Sequence, residues 1–480
     1  MILDTEQIKQ LFETYSNDPI ASITKIPQSG GDRIYFRILT ANNSYVATTS
    51  NNIKENETFL YFTSHFKNIG APVPNVFAVN EEKTIYIQKD FGSDCLLDIL
   101  EAKGKTKAVK DLYKKTLQAL AKLQIHADKE LDYNKCITSK EFGKQAILSD
   151  FLYFKYYFLD TLKIPYDKEK LGDDLDALST YLNHSDYKFF MFRDFQSRNV
   201  MINNEQPFFI DYQGGMKGAL QYDVASMLWQ AKADLSNEWK TELLDYYIDC
   251  AEKELAETVD RSRFVSQYNG FVLIRLLQVL GAYGFRGIFE RKAHFLTSIP
   301  LALRNLKDFL QHNKMGISVP EFDRVLQLII KDEIIHRFEP TKATAETPLV
   351  VHIKSFSFLK SGYPKNESTN GGGFVFDCRG ILNPGRIEQH KKETGRDKPV
   401  QDFLLEHTRM EEFLAGVFNA VDISVEDYIK RNFEVLEVNF GCTGGQHRSV
   451  YAADALARHL KNKYAVNVVV KHVEQNFSPL

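Results

Sequence analysis

Phe192-Arg193-Asp194-Phe195-Gln196-Ser197-Arg198-Asn199, followed by Phe209-Ile210-Asp211-Tyr212, decides the reading of this chain. Transfer of a phosphoryl group to a hydroxyl needs an Asp that orients the hydroxyl and accepts its proton. It also needs an Asn on the same loop for Mg²⁺, and a second Asp, from the end of the next strand, that bridges the metal to the phosphates of ATP. Asp194, Asn199 and Asp211 stand in that order, with the Asp and Asn five positions apart. Isolated Asp and Asn are usually loop caps, and Asp-x-x-x-x-Asn alone arises often by chance. The apolar strand-like runs Phe189-Phe190-Met191 and Phe208-Phe209-Ile210 on either side make this match specific.

Upstream, the first hundred residues read as a small β-rich lobe. Arg33 to Ile38 and Ser44 to Thr48 form strands about the turn-prone Ala41-Asn42-Asn43; Glu55 to Asn68 is helical, and Lys83 to Gln88 is a further strand. Gln28-Ser29-Gly30-Gly31-Asp32 lies where a glycine-rich lid over nucleotide phosphates belongs, which makes Gly30 and Gly31 nucleotide-binding candidates. The strand Val46-Ala47-Thr48-Thr49 lacks the lysine that pairs with phosphates in general kinases. Arg37 or Lys54 is expected to supply that charge, Arg33 less so, and Glu57 is the expected lobe-bridging acid. Asp90-Phe91-Gly92 precedes Asp194, the wrong order for a metal-binding DFG, and is placed at the lobe hinge. From about residue 106, apolar residues at Tyr113, Leu117, Leu120 and Ala121 follow a helical period, and helices dominate to about residue 336.

Arg193-Asp194-Phe195, Arg198-Asn199-Val200-Met201, Ile210-Asp211-Tyr212-Gln213, Tyr222-Asp223-Val224-Ala225-Ser226 and Leu276 to Tyr283 resemble the aminoglycoside phosphotransferase and choline kinase superfamily. Within it the likeness is nearest to the AmgK-like anomeric kinases of N-acetylmuramate and N-acetylglucosamine, over roughly residues 10–330. The resemblance implies a bilobal α+β protein-kinase-like domain acting with ATP and Mg²⁺ on a small sugar hydroxyl in cell-wall amino-sugar recycling. Phe192 stands where these kinases often carry an architectural His. Two other readings stay open: a nucleotide-binding pseudokinase serving regulation or RNA adaptation, and an aminoglycoside- or choline-type kinase with another acceptor.

With 480 residues, the chain exceeds what one core usually serves. Glu339 to Pro348 is small, polar and proline-bounded, so the expected division is a kinase-like domain at 1–338, a linker at 339–348 and a compact α/β domain at 349–480. A net charge of -3 gives no global pull toward nucleic acid or membrane. Five scattered cysteines in no CxxC pair argue for reduced thiols in a cytoplasm. The amino-terminal residues lack the charged head and apolar core of a targeting segment. Phe271 to Phe285, the most apolar run, is broken by Arg275 and Gln278 and reads as too short to span a bilayer.

The second signal is Phe440-Gly441-Cys442-Thr443-Gly444-Gly445-Gln446-His447-Arg448-Ser449. Leu436, Val438 and Phe440 alternate with Glu437 and Asn439, a half-buried strand. Val450, Ala453, Ala457 and Leu460 then mark a helix. Strand, small-residue loop and helix aim backbone N–H groups at an anion, with His447 and Arg448 as further donors. This loop, with Phe376-Asp377-Cys378-Arg379, Asn383-Pro384 and Thr394 to Val400, resembles the carboxy-terminal domain of the RNase adapter RapZ.

That resemblance implies recognition of an amino-sugar phosphate, carried over to Asp377, Arg379, Cys442, Thr443, Gly444, Gly445, His447, Arg448 and Ser449. It also implies an RNA partner, against which stand Gln446 in place of the family's lysine and an ending without its basic tail. Cys442 to Arg448 also satisfies the C-x5-R of cysteine-dependent phosphatases, although Gly441 replaces their usual His.

Overall fold

The computed structural model describes residues 2–26, 33–290, 293–339, 341–365 and 373–475, in two compact units, Met1–Phe338 and Glu339–Leu480.

The first unit opens with the helix Ile2–Tyr15 and then the strands β1 (Ile20–Ile26), β2 (Ile34–Thr40) and β3 (Ser44–Thr49). The helix Ile53–Asn68, β4 (Val76–Val79) and β5 (Ile85–Lys89) complete an antiparallel sheet in the order β1-β2-β3-β5-β4. Strand alternation sorts the side chains by face. Phe36, Ile38, Tyr45 and Ala47 join Ile8 and Phe12 in a small core beneath the first helix. The opposite face carries Tyr35, Arg37, Ser44, Val46 and Thr48, because β2 and β3 pair Tyr35 with Thr48 and Arg37 with Val46. The helix Ile53–Asn68, capped by the Asn52 side chain accepting from the Glu55 N–H, stacks Phe59 on Tyr86 and Tyr212.

Helices follow, among them Lys107–Ala127, in which Tyr113, Leu117, Leu120 and Ala121 are all fully buried as their period requires. Between the helices Lys168–Asn183 and Leu220–Leu228 the chain forms β6 (Lys188–Met191), β7 (Val200–Asn203), β8 (Gln206–Phe209) and β9 (Met216–Ala219). β6 pairs with β9 and β7 with β8, both antiparallel. The two ribbons hold the loop from Phe192 to Asn199 and the turn from Ile210 to Gly215. Phe192 fills the core below them, edge-on to Phe195, Phe209 and Tyr212.

The apolar run around Phe271 belongs to a longer element than its sequence suggests. The helix Arg261–Tyr283 continues through a π turn, and the whole of Arg261–Phe289 is long and apolar enough to cross a membrane. Most of its apolar window is buried inside the unit, where it packs on Lys144–Phe154, Leu220–Leu228 and Ile299–His312.

The second unit is a four-stranded parallel sheet of β10 (Val350–Ser357), β11 (Gly373–Asp377), β12 (Val435–Cys442) and β13 (Asn467–His472), in the order β11-β12-β10-β13. The helices Lys398–Glu406, Met410–Lys430 and Arg448–Tyr464 connect and cover it. The expected half-buried strand is in fact central, and β12 is buried along nearly its whole length. Glu437 and Asn439 are buried too; Glu437 pairs with Lys354 at 3.4 Å, and Asn439 donates to the Phe374 carbonyl at 3.4 Å. A central strand is flanked on both edges, so its polar residues are buried by β10 and β11 and find their partners there. All five cysteines are buried and unbridged.

Candidate functional site

One residue of the Phe192–Asn199 loop and one of the turn after β8 adopt a backbone conformation that side chains rarely take: Arg193 at φ +79° and Asp211 at φ +67°. Such positions persist only where surrounding contacts hold them. For Arg193 the contacts are explicit. Its guanidinium meets both Asp150 oxygens at 2.9 Å, donates to the Tyr222 hydroxyl at 3.0 Å and lies over the Phe142 ring. Its N–H and that of Phe192 donate to Asp223, at 2.9 and 2.7 Å. Asp223 is fully buried and also accepts from Gln124 at 2.8 Å, while Gln124 accepts from the Tyr247 hydroxyl at 2.6 Å. Three helices are thereby tied to the strand end that presents Asp194.

Asp194, Asn199 and Asp211 come together. The Asn199 amide donates to the Asp194 carbonyl at 2.9 Å and reaches Asp211 Oδ2 at 3.5 Å. The Asp194 carboxylate is half-exposed, and the buried Arg275 guanidinium approaches it to 3.4 Å. Asp211 accepts from Gln213 at 2.8 Å, and Gln213 also reaches Glu55 at 3.4 Å. Arg33 completes the group, 2.6 Å from Glu55 and 3.8 Å from Asp211.

The nucleotide-side expectations need correcting. Arg37 is bound to Asp90 at 2.7 Å and to the Gly92 carbonyl at 2.9 Å, so it braces the hinge loop after β5. Asp90, taken up by Arg37, Ser44 and the Gly92 N–H, sits at that hinge as expected. Glu57 faces solvent and pairs with Lys83; Glu55, two positions earlier, faces the site instead. Lys54 donates to the Ile137 carbonyl at 2.5 Å. Gly30 and Gly31 lie outside the described residues.

A cavity of about 110 Å³, sharing Arg275 with the Asp194 ion pair, is lined by Gln196, Arg198, Lys232, Arg275, Tyr283 and Asn305, among others. Its charged side chains are all cationic. Among the described residues, neither Arg198 nor Lys232 has an acidic partner.

Asp211 and Asn199 present the hard oxygen donors that suit Mg²⁺, which takes one or two carboxylates and completes its shell with phosphates and water. Among the described residues no group of three or more His, Cys, Asp or Glu side chains converges on a metal position, so an ion here would rest on these two residues and its nucleotide.

In the second unit, the loop Thr443–His447 runs from β12 into the helix Arg448–Tyr464. Among the described residues, the N–H groups of this loop donate to no protein acceptor. Its expected side-chain donors are turned into the scaffold. His447 Nε2–H donates to the His390 carbonyl at 2.9 Å, and burial lowers the imidazole's pKa, favouring the neutral ring. Arg448 donates to the carbonyls of Ile381 at 2.7 Å and Arg379 at 3.2 Å, and to the Thr443 hydroxyl at 3.2 Å.

Asp377 and Arg379 pair with each other at the rim. Cys442 is buried with its Sγ 3.1 Å from the Ser449 hydroxyl. Gly444 is open, with nothing within 4 Å of an added Cβ; Gly445, at φ +65°, lies against Glu474. Gly395 is required where it is, because a Cβ there would meet the His447 carbonyl at 2.1 Å. The loop therefore offers an anion its backbone rather than its side chains.

Residues 22–258 match the phosphotransferase enzyme family, and residues 349–476 match the RapZ C-terminal domain. The chain joins a phosphotransferase-family domain to a RapZ C-terminal domain. The phosphotransferase domain contains the Asp194, Asn199 and Asp211 group; the RapZ C-terminal domain contains the Thr443–His447 loop. A nucleotide-binding protein of Fervidobacterium nodosum is 31% identical over 202 residues, covering 39% of this chain and 67% of that protein. One of the same description from Bifidobacterium longum is 37% identical over 139 residues, 29% of this chain. The chain spans only 40% of the length of that relative. Choline kinase LicA of Streptococcus pneumoniae superposes with a TM-score of 0.44 at 13% identity, covering 64% of this chain and all of the kinase.

Sequence reading missed Asp223, Gln124, Glu55 and Arg275 as parts of the site. A signal existed for two of them. Gln124 falls on the same helix face as Leu117, Leu120 and Ala121, and Arg275 interrupts an apolar run; each is a polar group where burial demands a partner. Burial pushes the Asp223 carboxyl up to about 7, against its three N–H donors. A carboxyl whose folded pKa lies above its unfolded one contributes stability fully below about pH 4, and that contribution is lost as pH rises through about 7. Urea unfolding at pH 5 and pH 8 should show the wild type losing about 2–3 kcal/mol more than Asp223→Asn over this interval. Equal losses in the two proteins would show that Asp223 does not titrate there.

Proposed function

We propose that this protein transfers the γ-phosphoryl group of ATP to a hydroxyl of a small anionic or neutral sugar, of the N-acetylmuramate or N-acetylglucosamine type. The observation that carries this choice is the cavity that shares Arg275 with the Asp194 ion pair, whose charged lining is Arg198, Lys232 and Arg275. Cations lining a small concave site raise the local concentration of anions and repel cationic acceptors such as choline and aminoglycosides. Asp194 accepts the acceptor proton as the oxygen attacks phosphorus, and Arg275 holds its carboxylate in place. Asn199 and Asp211 would hold Mg²⁺, which supplies charge neutralisation on the phosphates. A panel of N-acetylmuramate, N-acetylglucosamine, choline and aminoglycosides tests the acceptor class. Turnover is expected with the sugars, giving a product whose phosphate is released by mild acid if it sits on the anomeric oxygen. Turnover confined to choline or aminoglycosides would contradict this reading, and nucleotide binding without transfer to any acceptor would favour a regulatory pseudokinase.

The RapZ C-terminal domain fits a sensor of an amino-sugar phosphate, held at a helix N-terminus by the N–H groups of Thr443–His447, which have no acceptor among the described residues. Arg448 and His447 shape that loop from within. Titration calorimetry with glucosamine-6-phosphate should give saturable binding that Gly444→Asp abolishes, because the variant places a carboxylate where the phosphate would lie. Equal affinity in the variant would remove the loop from the binding site. Addition of the same ligand to the kinase assay then tests whether the sensor biases turnover; coupling requires that it bind one state of the protein better than another.

A further inference from the structure

The strand that should carry a phosphate-pairing lysine has Thr48 on the site-facing side, fully buried and opposite Tyr35 on β2. We infer that Arg33, from the neighbouring strand, supplies this charge, so that Arg33 and Glu55 together do the work of the usual lysine–glutamate pair. This assignment rests on the phosphotransferase reading of the first unit. Its basis is geometric. Arg33 immediately precedes β2, and alternation places it on the same face as Tyr35 and Arg37. In the β2–β3 register it lies diagonally across from Thr48, within reach of a long side chain. Three placements then coincide at one guanidinium. Its side chain is 8% exposed; it is 2.6 Å from Glu55, on the helix that packs under the sheet; and it is 3.8 Å from Asp211.

A cation between the helix acid and the metal-side Asp occupies the position from which α- and β-phosphate oxygens are neutralised. The other basic residues considered for the role are bound elsewhere: Arg37 to Asp90 and Lys54 to Ile137. Gln213 spans Glu55 and Asp211, which fixes the acid that orients Arg33 to the loop that would hold the metal. A guanidinium also suits the task chemically. Its planar fork of donors can satisfy a carboxylate on one edge and a phosphate on another, which a lysine ammonium cannot do in fixed geometry.

The experiment is calorimetry of a nonhydrolysable ATP analogue with Mg²⁺, and separately of adenosine, on wild type, Arg33→Ala, Arg33→Lys and Glu57→Gln. Arg33→Ala should weaken the triphosphate by about tenfold or more, the loss expected for one charge-assisted contact, and leave adenosine affinity unchanged. Arg33→Lys should retain part of the triphosphate affinity, and Glu57→Gln all of it. Adenosine and triphosphate weakened equally in Arg33→Ala would mark a structural role and overturn the inference, as would triphosphate affinity equal to wild type. A wild type that binds the analogue but phosphorylates no acceptor leaves the assignment of Arg33 tested by its affinity alone. A wild type that binds no nucleotide would defeat both the assignment and the phosphotransferase reading.

Discussion

Asp194→Asn should lower the rate of phosphoryl transfer by about 10²–10⁴-fold, while the affinity for Mg²⁺ and an ATP analogue stays within about twofold of wild type. A general base acts on the proton of the acceptor hydroxyl, so its loss affects the chemical step and spares ground-state nucleotide contacts. The geometry favours a clean result. The Asp194 side chain is half-exposed, and its carboxylate oxygens contact the protein through Arg275 rather than through the metal-side residues. The Asn199 contact uses the Asp194 backbone carbonyl, which the substitution keeps. Single-turnover rates beside analogue titrations separate the two effects. A variant that loses nucleotide affinity in step with rate would place Asp194 among the nucleotide ligands instead.

Asp211→Ala should fail differently. It removes a carboxylate expected to hold the metal against the β- and γ-phosphates, so both turnover and Mg²⁺-dependent nucleotide affinity should fall, turnover by at least as much as in Asp194→Asn. It also leaves Gln213 and Arg33 without one of their partners. Because Asp211 holds φ +67°, Ala at that position adds strain, and a melting curve is needed beside the binding data. The decisive contrast is the metal dependence: affinity measured without Mg²⁺ should differ little between wild type and Asp211→Ala, whereas affinity with Mg²⁺ should differ greatly. An equal change under both conditions would assign Asp211 to the scaffold.

The parts of this site that sequence made legible are those fixed by chain order. Asp194, Asn199 and Asp211 lie on one loop and the next strand end, so local spacing brings them together. The strands around Phe189 and Phe208 are visible because their apolar runs are short and bounded, and the helix periodicity at Tyr113 because the face it buries is continuous. The nucleotide side was harder because its charges are distributed by register. Arg33 and Arg37 share a face of β2, and the hinge position of Asp90 draws Arg37 to the hinge while Glu55 and Asp211 hold Arg33 at the site. Glu55 and Glu57 are two positions apart on a helix, about 200° around its axis, so an error of two residues exchanged a site residue for a solvent-exposed one.

In the RapZ C-terminal domain the loop was legible as strand, small residues and helix, but the direction of its side chains was not. His390, Arg379 and Ile381, the backbone acceptors that draw His447 and Arg448 inward, come from segments at least fifty residues away in the chain. Long-range satisfaction of buried donors leaves no local pattern. The buried Asp223 is a related case. Asp223 stands within the recognised run Tyr222 to Ser226, but its work is done on the N–H groups of Phe192 and Arg193, about thirty residues earlier.

The central claim is phosphoryl transfer from ATP to a small hydroxylated sugar, and its most direct measurement is phosphorus NMR of the protein mixed with Mg²⁺, ATP and N-acetylmuramate. The account predicts that the γ-phosphate signal of ATP disappears as ADP and a new sugar phosphate resonance grow in equal amounts, and that Asp194→Asn stops both. ADP appearing with inorganic phosphate alone, or an unchanged ATP spectrum with every amino sugar tried, would contradict it.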